Sequence, residues 1–439
     1  MSKNFDVIII GGGLTGLTAA YTCQQFGFSS VILEKSDNLG GGNQSFEDNQ
    51  GNIFDNGYHA LDFGRSVLTT RFFEKILENN FHKFLLKRGI VIKDYLLEYN
   101  SEVSNWPKDL QQLFISKKFE DNIEKLNSTK QLSDIYGPDF ISLLVEEILQ
   151  SYPSKKWAIE HEGKVEDHLE FVYPWFLPKT LKKAHRQTES EIFHDKTRDS
   201  EHFVLYPNAG GFEQFPMSLA SRLIRDGQSI ELNCSDISLS YSTPGNYFIS
   251  HVETKGISYN APLIMWCAPL SQLFRMFNLP LSINGRAQRL VLGNFVFNQE
   301  LKNDYHEILV GSSKHLINRI SFPGKIASRT DNLLQIEFYY PDGDYHLNED
   351  QWKNDWLKSL KEIGLIKNNN LINFTFRHEI RGFVSKDSLD EISNNLKDKI
   401  AKVQTNLNIP FPMLGPENIN RLIPETIQNV VSLLTRKKS

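Results

Sequence analysis

The feature that most constrains this chain lies at its N-terminus. Asp6 to Ile10 reads as a buried strand, Gly11-Gly12-Gly13-Leu14-Thr15-Gly16 follows at once, and a helix then runs to about Phe26, where Gly27 closes it. Ser30 to Leu33 reads as a second strand, ended by Glu34 near the offset of about 20 residues at which an acid meets a ribose. The glycines differ in what they permit. Gly11 allows a sharp strand-to-helix turn, Gly13 lets backbone approach a pyrophosphate, and Gly16 allows close helix–strand packing. Leu14 and Thr15 then open a helix whose N–H groups and dipole favour an anion. The order strand, glycine turn, helix, strand, acid predicts a β-α-β unit of the Rossmann type that holds a dinucleotide. A glycine turn with no ligand is the alternative reading.

A chain of 439 residues exceeds what one compact core usually supports, so two domains are expected. Its 40% apolar and 23% charged residues are ordinary for a globular protein. A formal net charge of −5 argues against a nucleic-acid partner, and Arg436-Lys437-Lys438 reads as a solvated helix end. Cys23, Cys234 and Cys267 are far apart and form no metal-ligand spacing, so no metal site is expected and a reducing cytoplasm fits best. The run Val7 to Ile10 is too short for a signal peptide, and no stretch has the length of a membrane span.

Further along, Ser66 to Gln150 reads as largely helical, and Lys155 to Glu201 as a charged, irregular surface segment. A helix is expected from Phe212 to Arg225, then short strands through Cys267. A strand-rich block follows from Arg289 to Tyr340, then amphipathic helices, the last over Ile419 to Leu434.

Several segments after the β-α-β unit carry a resemblance. Leu39-Gly40-Gly41-Gly42-Asn43 follows Glu34 and Lys35, and Phe54-Asp55-Asn56-Gly57-Tyr58-His59 follows that. Tyr206-Pro207-Asn208-Ala209-Gly210-Gly211-Phe212 opens a helix, and Leu263 to Leu270 ends a strand with Pro-Leu. In this order they resemble the flavoprotein superfamily that includes monoamine oxidase, protoporphyrinogen oxidase and UDP-galactopyranose mutase. The resemblance implies FAD as cofactor, with Gly40, Gly41, Gly42 and Asn43 near its phosphates, although Gly42 stands where that family has Arg or Asn. It implies that Glu231 to Leu239 is a strand whose backbone, at Asp236 and Ile237, holds the adenine. It also implies that Gly415 and Ile419 bring a helix start to the flavin, where Pro416 removes one donor. The resemblance further implies an FAD domain built from 1–65, 202–285 and 395–439, and a substrate domain from 66–201 and 286–394. The active site is expected where the two meet.

The chemistry is less sharply drawn. His59 lies beside the flavin by this resemblance, and an imidazole suits proton exchange near neutral pH; it can equally serve only to bond backbone there. Arg377 in the Arg377-His378-Glu379 cluster and Tyr340 in Tyr339-Tyr340-Pro341 are further candidates for contact with substrate. Tyr152-Pro153-Ser154-Lys155-Lys156-Trp157 resembles an element of UDP-galactopyranose mutase, but the arginines that follow it there have no counterpart in Val172 to Leu177. The leading expectation is an FAD-dependent oxidoreductase acting on a small or carbohydrate-related metabolite. A mutase-like enzyme of nucleotide-sugar chemistry and a flavin-binding protein without turnover are the rivals.

Overall fold

The computed structural model describes residues 2–99, 101, 105–110, 146, 202–241, 248–276, 285–341, 348–367, 371–385, 406–410 and 419–438. The chain divides into two units, one of 1–83, 205–285 and 385–439, the other of 84–204 and 286–384.

The first unit is built on a parallel five-stranded sheet in the order Ser229–Glu231, Ser30–Leu33, Val7–Ile10, Leu263–Trp266, Leu407–Asn408. Its two central strands, Val7–Ile10 and Ser30–Leu33, are buried throughout, as continuous apolar runs in a covered parallel sheet should be. Alternation divides their side chains. Ile8, Ile10, Val31 and Leu33 join Val252, Tyr259 and Trp266 in one core, under a second sheet made of Ser2–Asn4, Ile257–Asn260, Ile249–Thr254 and Ser238–Tyr241. Ile9 turns the other way, towards the helix Leu14–Gln25. That helix in turn packs against Gln214–Arg225 and against the final helix Ile419–Lys438.

The second unit carries a seven-stranded sheet in the order Leu371–Ser385, Gly285–Phe297, Leu333–Pro341, Arg319–Ser321, Glu307–Val310, Arg88–Ile92, Tyr95–Glu98. One face buries Phe295, Ile308, Ile320, Ile336 and Phe338 beneath Trp352 and Trp356 of the helix Glu349–Glu362. Gly293 makes room for this packing, because a Cβ there would stand 2.3 Å from the Trp356 ring. On the opposite face, Arg88, Glu307, Ser321, Gln335 and Asn294 lie in register across five strands. Glu307 pairs with both Arg88 and Arg319, and Arg319 also reaches Glu337 at 3.6 Å, so these buried carboxylates are matched by guanidinium groups.

Within the described residues, the helical reading of Ser66 to Gln150 holds for Val67–Leu77 and at 108–110 and 146, and fails between them. Glu78 and Asn79 then take positive φ, and Phe81–Leu85, Arg88–Ile92 and Tyr95–Glu98 are strands. Long-range pairing overrides local periodicity here, since Arg88–Ile92 is held by Glu307–Val310, some two hundred residues away.

Candidate functional site

The turn at the end of Val7–Ile10 is shaped by steric necessity. Gly11 has φ +108°, and a Cβ there would meet the Cys267 carbonyl oxygen at 2.8 Å. A Cβ on Gly16 would come within 1.9 Å of the Gly11 carbonyl oxygen, so the helix presses directly on the turn that precedes it. Gly13 is the residue before the helix and no side chain caps it, while Leu14, Thr15 and Gly16 of the first turn are buried and include no acid. A buried helix start without a side-chain cap is suited to an external acceptor. Gly40 and Gly41 come up against this point: Gly13 bridges to Gly40, and a Cβ on Gly41 would stand 3.3 Å from the Gly13 Cα. Two glycine backbones thus face each other with no side chain between them. This arrangement fits a dinucleotide phosphate group. Gly41–Asn43 forms one 3-10 turn in which Gly42 is exposed and Asn43 half-buried.

Glu34 is held at the end of its strand. Its Oε2 accepts the Gly12 N–H at 2.5 Å, and Oε1 accepts the N–H and hydroxyl of Ser36 at 2.9 and 2.7 Å. Lys35 beside it is exposed. The segment 231–234 closes over this strand end: the Glu34 N–H donates to the Glu231 carbonyl, that of Cys234 to the Glu34 carbonyl, and that of Asn233 to the Ser36 carbonyl. The expected strand from Glu231 to Leu239 is not formed. Ser229–Glu231 and Ser238–Tyr241 are separate strands with a turn between them. Asp236 lies exposed in that turn, accepting from the Thr254 hydroxyl at 2.6 Å and the Lys255 N–H at 3.0 Å, and these donors hold its carboxyl below the usual range. Its side chain therefore ties down a neighbouring turn, and Ile237 packs against the core, leaving backbone as what this stretch can offer a nucleotide.

His59 sits in the turn after the hairpin of Ser45–Glu47 and Ile53–Asp55. Its Nδ1 is 2.8 Å from the Gly57 carbonyl oxygen, which can only accept, so Nδ1 carries the proton and Nε2 is the basic nitrogen of the neutral ring. The imidazole is stacked on Phe212, 5.5 Å between centroids. Sequence reasoning passed over the residue that joins these parts. Asp55 is buried, accepts the Ser45 hydroxyl at 2.6 Å and the Phe212 N–H at 2.9 Å on Oδ1, and accepts the Tyr206 hydroxyl at 2.8 Å on Oδ2. Burial pushes its carboxyl upward, against the pull of His59 and of these donors. Gly211, at φ +76°, has no space for a side chain, because a Cβ would lie 2.3 Å from Ser45 Oγ. An acid directly after the apolar pair Ile53-Phe54 was the available signal.

Of the remaining candidates, Tyr340 and Arg377 belong to the second unit. Tyr340 is a core residue of the second unit, packed against Phe338 and Trp352, because strand alternation turns it inward. Arg377 is half-buried on the strand Leu371–Ser385 of the same unit. Ile419 begins the final helix, and Gly415 lies outside the described residues, as do 152–157 and 172–177. Among the described residues no helix is long and apolar enough to cross a membrane.

These features define a nucleotide-cofactor-binding protein of the Rossmann-like class, and residues 9–76 match the family model described as the NAD(P)-binding Rossmann-like domain. A segment of 47 residues is 45% identical to a probable flavin-containing monoamine oxidase A of Dictyostelium discoideum. That segment is 11% of this chain and spans only 10% of the length of that relative. Among solved structures, a reduced UDP-galactopyranose mutase is similar with a TM-score of 0.69 and 12% identity, over 98% of this chain and 96% of that one. A candidate protoporphyrinogen oxidase from Exiguobacterium is similar with a TM-score of 0.65 and 14% identity, over 99% of both chains. The likeness to these two structures is one of fold, and the match to the Rossmann-like family model is confined to the N-terminal segment.

Proposed function

We propose that this protein is an FAD-dependent oxidoreductase acting on a small or carbohydrate-related metabolite. The observation that carries the reading is the buried, uncapped helix start after Gly13, set against the backbone of Gly40 and Gly41. The amides of this helix start receive the diphosphate of FAD, whose charge the helix dipole favours. Glu34 already accepts three hydrogen bonds, and its two oxygens retain lone-pair capacity for a ribose hydroxyl. FAD, when bound, supplies a two-electron acceptor for a substrate hydride. His59 takes up or releases the accompanying proton at Nε2, while Nδ1 stays fixed by Gly57. FAD is favoured over a nicotinamide because the segments at Gly40 to Asn43 and Gly57 to His59 follow the flavoprotein order.

A second reading, non-redox chemistry on a nucleotide sugar, is favoured by the likeness in fold to UDP-galactopyranose mutase. Anaerobic mixing with candidate substrates separates the readings. Bleaching of the flavin by substrate supports the oxidoreductase. Turnover of a nucleotide sugar only after dithionite reduction supports the mutase-like enzyme, and a flavin silent in both assays leaves a binding protein without turnover.

A further inference from the structure

We propose that Asp55 is a positioning residue for His59, fixing the imidazole through Phe212 and serving as its buried counter-charge. The inference rests on the reading of His59 as the group that handles a proton beside the flavin. Ser45 stands opposite Asp55 in the hairpin register, and the Asp55 carboxylate binds its hydroxyl. Ser45 is itself locked to the start of the helix Gln214–Arg225: its N–H donates to Glu213 Oε2 at 3.1 Å, and its Oγ accepts the Glu213 N–H at 3.2 Å. Because Ser45 Oγ accepts from Glu213, its own proton is directed at Asp55. The Phe212 N–H is necessarily a donor, so Oδ1 of Asp55 accepts from both Ser45 and Phe212.

From this carboxylate two routes lead to His59. Along the chain, the Asp55 carbonyl accepts the Gly57 N–H at 2.8 Å, and the Gly57 carbonyl holds Nδ1 of His59. Through space, the Phe212 N–H is anchored by Asp55 while the Phe212 ring carries the imidazole. Tyr206 completes the set from the strand Phe203–Pro207. A group that merely filled space would not need three donors converging from two separated segments, 45 and 206–212. In water-poor surroundings a fixed negative charge near an imidazole favours the protonated ring.

Asp55→Asn is close to isosteric. Its amide oxygen keeps the Ser45 and Phe212 bonds, its amide nitrogen can donate to the Tyr206 oxygen, and only the charge is lost. The test follows the His59 ring resonances with pH in the full chain, wild type and D55N, with and without FAD, the signal being assigned by its loss in H59Q. The expected result is a fall of about one unit in the His59 midpoint in D55N. A folded D55N whose His59 titrates as in the wild type overturns the proposal. Should D55N not fold, Tyr206→Phe removes a single donor, and is expected to displace the His59 resonances; their constancy overturns the proposal as well. The comparison is complete in protein free of cofactor. A wild type that binds no FAD would therefore refute the proposed function without touching this result.

Discussion

The imidazole of His59 and the ring of Phe212 lie 5.5 Å apart and within 25° of parallel, although the two residues are more than 150 positions apart in sequence. The contact joins the two segments whose order first suggested a flavoprotein, and it gives those segments a physical link. Several expectations follow from this arrangement and from the turn at Gly11.

Gly16→Ala tests the helix–turn contact. With only 1.9 Å to the Gly11 carbonyl oxygen, an added methyl must push the helix off the sheet. A loss of about 2–4 kcal/mol is expected in chemical denaturation, together with loss of cofactor affinity. An unchanged midpoint would mean that the helix does not sit as described.

Glu34→Gln addresses the ribose side. The amide can replace one acceptor of Glu34 but not both, and the bond to the Gly12 N–H or those to Ser36 must weaken. FAD affinity, read by flavin fluorescence, is expected to fall about tenfold.

Tyr340 separates core from site. Tyr340→Phe is expected to leave turnover unchanged and to cost about 1 kcal/mol at most. Tyr340→Ala empties a position between Phe338 and Trp352 and is expected to cost about 3 kcal/mol. A loss of turnover in the phenylalanine variant at unchanged stability would show Tyr340 to be a substrate contact.

The second unit has its own pH dependence. His306 is largely buried, its Nδ1 accepts the Lys87 N–H, and burial with help from Lys325 lowers its pKa to about 4. The unfolded ring titrates near 6.5, so between these values the unfolded chain binds the extra proton. Stability is therefore full above pH 6.5 and declines as the pH falls towards 4. After allowance for the ring's solvent-facing part, the decline is about 2 kcal/mol. Comparing wild type with His306→Gln by denaturation at pH 7 and 4.5 isolates this contribution, which should vanish in the variant.

Much of the N-terminal architecture was legible because its causes are local. An unbroken apolar run, glycines where no side chain fits and a helix closed by Gly27 are all readable within a few turns of chain. What escaped reading depends on partners brought from afar. Arg88–Ile92 looks like part of a helical region until Glu307–Val310 is placed beside it. Asp55 looks like an ordinary hairpin end until Tyr206 and Phe212 arrive. Asp236 falls in a turn because its carboxylate finds Thr254 and Lys255 across it, a pairing that no periodicity announces.

The central claim is that FAD rests against the amides after Gly13. Its most direct test is chromatography of the nucleotide released by mild denaturation of gently purified protein. FAD in an amount close to one per chain is the predicted result. Release of a nicotinamide dinucleotide, or of no nucleotide from protein that also fails to take up added FAD, would contradict the account.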